Sequence, residues 1–108
     1  MKYLILILSG LLLIGCKEVA KAEISIPTAQ CGMCANTITQ ALTDVDGVKK
    51  VKVDMETLKA IVAYNPESTS VQSLESAIAS AGYQANGTNA DTDVYNQLPK
   101  CCKLPEDR

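Results

Sequence analysis

The feature that most constrains this chain is a change of hydrophobic period at one short stretch. Up to Pro27 the residues "EISIP" alternate, which predicts a strand with Ile24 and Ile26 on one face. From Cys34 onward Cys34, Ile38, Ala41, Leu42 and Val45 recur at helical spacing. Between the two periods lies "TAQCGMCANT", where Cys31 and Cys34 stand at the strand-to-helix handover. Whatever fold forms must bury a sheet face and a helix stripe against each other.

The remaining elements repeat that pattern. Asp44–Val45–Asp46–Gly47 supplies turn-forming residues that stop the helix. "VKKVKVD" predicts a strand over 48–54, with Val51 and Val53 on one face, and "LKAIVAYN" predicts its hairpin partner after Met55–Glu56–Thr57. Thr69–Ser70–Val71–Gln72 has capping-box spacing. Val71, Leu74, Ile78 and Ala81 form a second helical stripe, Gly82 ends it, and "YQANG" predicts a last short strand. The order predicts an α+β fold, a ferredoxin-like βαββαβ sandwich with a four-stranded antiparallel sheet and two helices on one face. With no Phe and no Trp, its core must be small. The tail, 90–108, is polar, and "DTDVYNQL" predicts a helical turn or two before Pro99.

The N-terminus points outside the fold. Lys2 precedes "YLILILSGLLLIG", which has the length of a signal-peptide apolar region and is short for a bilayer span. It ends in "LIGC", which resembles the lipobox of bacterial lipoproteins, whose cysteine becomes the first mature residue and carries the lipid. The expected layout is therefore a lipoprotein signal peptide at 1–15, lipidation at Cys16, a polar tether at 16–22, a folded domain at 23–89 and a tail at 90–108. That places the protein in the cell envelope, anchored by lipid to a membrane and facing the periplasm or the exterior. The alternative is a plain signal peptide or anchor with an incidental cysteine. Ten basic and twelve acidic residues leave a net charge of −2, without the basic patch that a phosphate backbone demands. Nucleic acid is therefore not an expected partner. Lys49, Lys50 and Lys52 read first as the solvated face of a strand, and second as charges that steer an acidic partner.

With Cys16 assigned to lipid, the five cysteines reduce to two pairs, Cys31/Cys34 and Cys101/Cys102. In an exported chain the default for such pairs is disulfide. Yet thiols two residues apart can also converge on one soft ion. Cys34 falls in the first helical turn, where free N–H groups and the helix dipole favour thiolate. Thiolates select soft ions such as Cu(I), and the chain has no histidine. Two sulfurs are too few for a closed structural zinc site. They leave a bound ion open to a third thiolate, which is the basis of hand-over by ligand exchange. Taken alone, the CxxC admits zinc, redox and disulfide readings.

Its placement narrows them. A CxxC at the first strand–helix junction, followed in order by "GVKKVKVD", "AYNPE" and "AGYQA", resembles the heavy-metal-associated domain over residues 22 to 89. That family includes copper chaperones, soluble domains of copper-transporting ATPases and the periplasmic mercury-binding protein. The resemblance implies metal-ligand roles for Cys31 and Cys34 and a place close to the site for Tyr83. The bland alternative for Tyr83 is a half-buried strand residue. It also implies a non-enzymatic metallochaperone or scavenger, for Cu(I) first and Hg(II) next, with a metal-transporting membrane protein as its partner. Two features depart from the family. Ala29 stands where relatives carry methionine, and Met33, between the ligands, is either a weak thioether ligand or a gap-filling or exposed side chain. Cys101 and Cys102 lie beyond the domain. They either fold back onto the site, form a separate thiolate site, or pair with Cys31 and Cys34 as disulfides. With four sulfurs Zn(II) or Cd(II) also fits. The rivals are a thiol–disulfide redox protein and a disulfide-stapled domain without metal. A thioredoxin-like fold needs more chain, a different strand order, and an aromatic residue where Gln30 stands.

Overall fold

The computed structural model describes residues 19–108, so the expected signal peptide and Cys16 lie outside the described residues. Strand β1 spans Ala20–Ser25, helix α1 Gly32–Thr43, strands β2 and β3 Val48–Asp54 and Lys59–Tyr64, and helix α2 Val71–Ser80. Helix α3, Thr92–Asn96, and two 3-10 turns, Lys100–Cys102 and Pro105–Asp107, follow.

Strand β3 is central and runs antiparallel to β1 and to β2. Its register sets Ala60 opposite Ile24 and Val62 opposite Ala22, so the inward side chains of both strands fall on one face. Onto that face α1 brings Cys34, Ile38 and Leu42, and α2 brings Leu74, Ile78 and Ala79; all are buried. Each Ile or Leu so buried contributes about 1.5–3 kcal/mol of transfer free energy. Val51 and Val53 of β2 pack against the same core but remain half-buried. The opposite face of the sheet carries the exposed Lys21, Glu23, Lys50 and Lys52.

Three sequence expectations need correction. Ala20, Lys21 and Ala22 belong to β1 rather than to a tether, because β3 offers them Tyr64, Ala63 and Val62 as pairing partners. The cap of α2 is Ser70, whose Oγ accepts from the Ser73 N–H at 3.2 Å, not the Thr69–Gln72 box. Thr69 Oγ1 is instead buried without a partner among the described residues.

The expected fourth strand does not join the sheet among the described residues. The α+β, ferredoxin-like arrangement stands, but among the described residues the sheet has three strands. "YQANG" docks beside β1 through a single residue. Ser25 N–H donates to Asn86 Oδ1 at 2.9 Å, and Asn86 N–H donates to the Ser25 carbonyl at 2.8 Å. Asn86 has φ of 51°, a left-handed conformation that turns the chain after one pairing. Its side-chain Nδ2 also donates to Glu75 Oε2 at 2.6 Å, which fastens this turn to α2.

The tail is docked rather than loose. Asp91 N–H donates to the Ala79 carbonyl at 2.9 Å, and the Asp91 carboxylate caps α3 through Asp93 N–H and Val94 N–H. Gly82, with φ of +100°, lets α2 end in a turn so close to α3 that a Cβ there would lie 3.2 Å from both Val94 Cγ1 and Leu98 Cδ1. Further along, Tyr95 Oη accepts from Leu104 N–H at 2.9 Å and donates to Asp107. Arg108 Nε donates to the carbonyls of Lys100 and Lys103, closing the last two turns on each other.

Candidate metal centre

After β1, Ile26 is fully buried and its N–H donates to the Leu58 carbonyl at 2.9 Å. The loop that follows is tied to the opposite side of the site. Thr28 Oγ1 accepts from Gln84 N–H at 3.0 Å, joining the cysteine loop to the segment carrying Tyr83. Ala29, where the family resemblance leads one to expect methionine, is buried in the core.

Cys31 is the N-cap residue of α1, in extended conformation, and Cys34 sits in the first helical turn. Their sulfurs are 3.6 Å apart. Cys34 is fully buried, whereas Cys31 is partly exposed. The tail brings both of its cysteines to the same place. Cys102 Sγ lies 4.0 Å from Cys31 Sγ and 3.9 Å from Cys101 Sγ. The sulfurs of Cys31, Cys101 and Cys102 all fall within 4.8 Å of one another. The four cysteines among the described residues are all free thiols, with Cys101 exposed and Cys102 buried. Met33, expected either as a weak ligand or as a gap-filling or exposed residue, is 54% exposed. Tyr83 is fully buried rather than half-buried, and its hydroxyl has no hydrogen-bond partner among the described residues.

The electrostatics divide the thiols into two kinds. Cys31 is held down from 9.0 to about 7, chiefly by the backbone N–H of Cys34, against a smaller opposing effect of burial. No first-turn N–H reaches full hydrogen-bond geometry to its sulfur, so the effect is that of several partly aligned donors at a helix N-terminus. Cys102 is pushed up to about 12, first by burial and then by the neighbouring Cys34, with the Tyr83 hydroxyl acting in the opposite sense. Tyr83 itself is shifted upward by burial and by Cys34 and Cys102. The site thus offers one ready thiolate at the surface and protonated sulfur beneath it.

Every cysteine of this cluster was visible in the sequence. The contacts that assemble it were not, namely the Thr28–Gln84 clamp and the packing of Val94 and Leu98 over Gly82. The i, i+4 spacing of Val94 and Leu98 behind the Asp91 cap was the available signal.

Fold and thiol cluster together define a heavy-metal-binding domain. The chain belongs to the heavy-metal-associated domain family, whose profile matches residues 23–84. It is 41% identical over 63 residues to the mercuric transport protein periplasmic component of Pseudomonas aeruginosa, covering 58% of this chain and 69% of that protein. It is 36% identical over 85 residues to a copper-exporting P-type ATPase of Staphylococcus saprophyticus, covering 79% of this chain but 11% of the ATPase. The crystal structure of oxidized MerP from Ralstonia metallidurans CH34 superposes with a TM-score of 0.62 at 38% identity, covering 64% of this chain and 96% of that one. Cys101 and Cys102 lie beyond the matched domain.

Proposed function

We propose that this protein is a lipid-anchored carrier of a soft metal ion in the cell envelope. It holds the ion between Cys31 and Cys34 and passes it to a metal-transporting membrane protein by ligand exchange. Cu(I) and Hg(II) are the cargo ions, and its similarity to a mercuric transport protein and to a copper-exporting P-type ATPase supports both. The single observation that carries the reading is the pair of free thiols 3.6 Å apart at the N-terminus of α1, one of them shifted to about 7, in a heavy-metal-associated domain.

The exchange follows from that asymmetry. Near neutral pH Cys31 is in large part thiolate and partly exposed, so it meets the incoming ion first. Cys34, buried behind it, makes the second bond as a thiolate. A partner's thiolate then attacks the ion from the open side and takes it over through a shared intermediate, with no free ion released and no covalent change to the carrier. This is transport, not catalysis. The "LIGC" stretch ending at Cys16 supports the anchor, and similarity to the periplasmic component of mercuric transport supports the compartment.

Titrating the reduced, detergent-solubilised chain with Cu(I) and with Hg(II) against a competing chelator tests the reading. One tightly bound equivalent is expected, lost in Cys31→Ser. No binding, or binding unchanged in that variant, would overturn it. Recovery of the protein in the membrane fraction, and its release in Cys16→Ser, tests the anchor.

A further inference from the structure

Cys101 and Cys102 are not part of the matched domain, yet the fold delivers them to its metal loop. The delivery is built, not incidental. The tail is tied to the end of α2 by Asp91, packed against Gly82 by Val94 and Leu98, and folded on itself by Tyr95 and Arg108. Cys102, near its end, is as buried as the core residues of the domain.

Sulfur spacings say what such a cluster suits. With a metal–sulfur bond of about 2.3 Å, two sulfurs lie about 4.6 Å apart in linear coordination, about 4.0 Å in trigonal and about 3.8 Å in tetrahedral. The Cys31–Cys102 and Cys101–Cys102 separations, 4.0 and 3.9 Å, have the three- to four-sulfur spacing. The Cys31–Cys34 separation, 3.6 Å, is well short of the linear one.

Resting on the reading that Cys31 and Cys34 receive a soft ion, we propose that Cys31, Cys101 and Cys102 form a three-thiolate station sharing Cys31 with the CxxC pair. An ion received between Cys31 and Cys34 exchanges its Cys34 bond for bonds to Cys102 and Cys101, while Cys31 stays attached throughout. Two protons leave the tail thiols as those bonds form, and the released Cys34 thiolate regains one. The oxidation state of the ion does not change. The tail station holds a trigonal soft ion more firmly than the two-sulfur grip and shields it from attack. Transfer to a partner then requires the ion to return to Cys34 or the tail to lift.

The test is X-ray absorption on the full chain, reduced and loaded with Cu(I), together with affinity measured by chelator competition. Three sulfur neighbours are expected in the wild type and in Cys34→Ser. Cys101→Ser/Cys102→Ser should drop to two sulfurs and bind at least roughly 10–100-fold more weakly, since even the loss of a residue supporting a metal ligand has that effect. Cys101→Ser alone changes an exposed side chain, so it should keep the apo melting temperature and still bind Cu(I) more weakly than the wild type. Two sulfurs in the wild type, or a double variant with wild-type coordination and affinity, would overturn the proposal while leaving the CxxC reading intact. A wild type that binds no Cu(I) would overturn both.

Discussion

The asymmetry between the thiols predicts a selective chemistry that can be measured one cysteine at a time. Cys31 is lowered from 9.0 to about 7, and Cys102 is raised to about 12. At pH 7 Cys31 is then about one-half thiolate, whereas an unshifted thiol at 9.0 is about 1% thiolate, a ratio of roughly fifty. A weaker base is also a weaker nucleophile; with a Brønsted slope of about 0.4–0.5 over two pH units, roughly eightfold of that advantage is lost. Cys31 should therefore alkylate only about sixfold faster than an ordinary thiol at pH 7. The shape of the profile is more decisive than this ratio. Because a lowered pKa means that the thiolate is lost only as pH falls through about 7, the Cys31 rate should rise only about twofold from pH 7 to pH 9, against roughly fifty-fold for an unshifted thiol. Brief iodoacetamide pulses on reduced, metal-free protein, followed by peptide mass spectrometry, read each cysteine separately. Cys102 should stay unmodified throughout. A Cys31 rate that climbs roughly fifty-fold over that interval would refute the argument that the α1 N-terminus activates this thiol.

Two further substitutions probe the frame around the site. Gly82→Ala forces a side chain onto a residue with φ of +100° and sets its Cβ 3.2 Å from Val94 and Leu98. It should cost about 1–2 kcal/mol, lower the melting temperature by roughly 4–15 °C and open Cys102 to alkylation as the tail lifts; an unchanged melt with Cys102 still protected would contradict the docking described. Tyr83→Phe removes a buried hydroxyl without a hydrogen-bond partner, a group that costs about 1–3 kcal/mol when left unsatisfied. The metal-free variant should melt at or above the wild-type temperature, and a clear decrease would mean that the hydroxyl is bonded to one of the neighbouring sulfurs.

Much of the architecture can be read from local pattern alone. The alternation through Ile24 and Ile26, the helical stripes Cys34–Ile38–Leu42 and Leu74–Ile78, and the hairpin of β2 and β3 all appear where period and turn chemistry place them. Three readings shifted, each where a neighbour in space outweighs local preference. β3 recruits Ala20–Ala22 into β1, Ser70 takes the cap from Thr69, and the left-handed Asn86 ends the fourth strand after one residue.

The site divides in the same way. Local sequence sets two thiols at a strand–helix junction, because CxxC spacing at a helix N-terminus is a property of residues close in the chain. It carries the fold class as well, because apolar period is a local signal. That Cys101 and Cys102, some seventy residues away, come to the same place depends on tertiary contacts. Their delivery depends on Asp91 meeting the end of α2 and on Val94 and Leu98 meeting Gly82, contacts between segments whose compatibility no local pattern encodes. The separation of Cys31 from Cys102 in acidity has the same origin, since one thiol meets helix N–H groups near the surface and the other is buried beneath it.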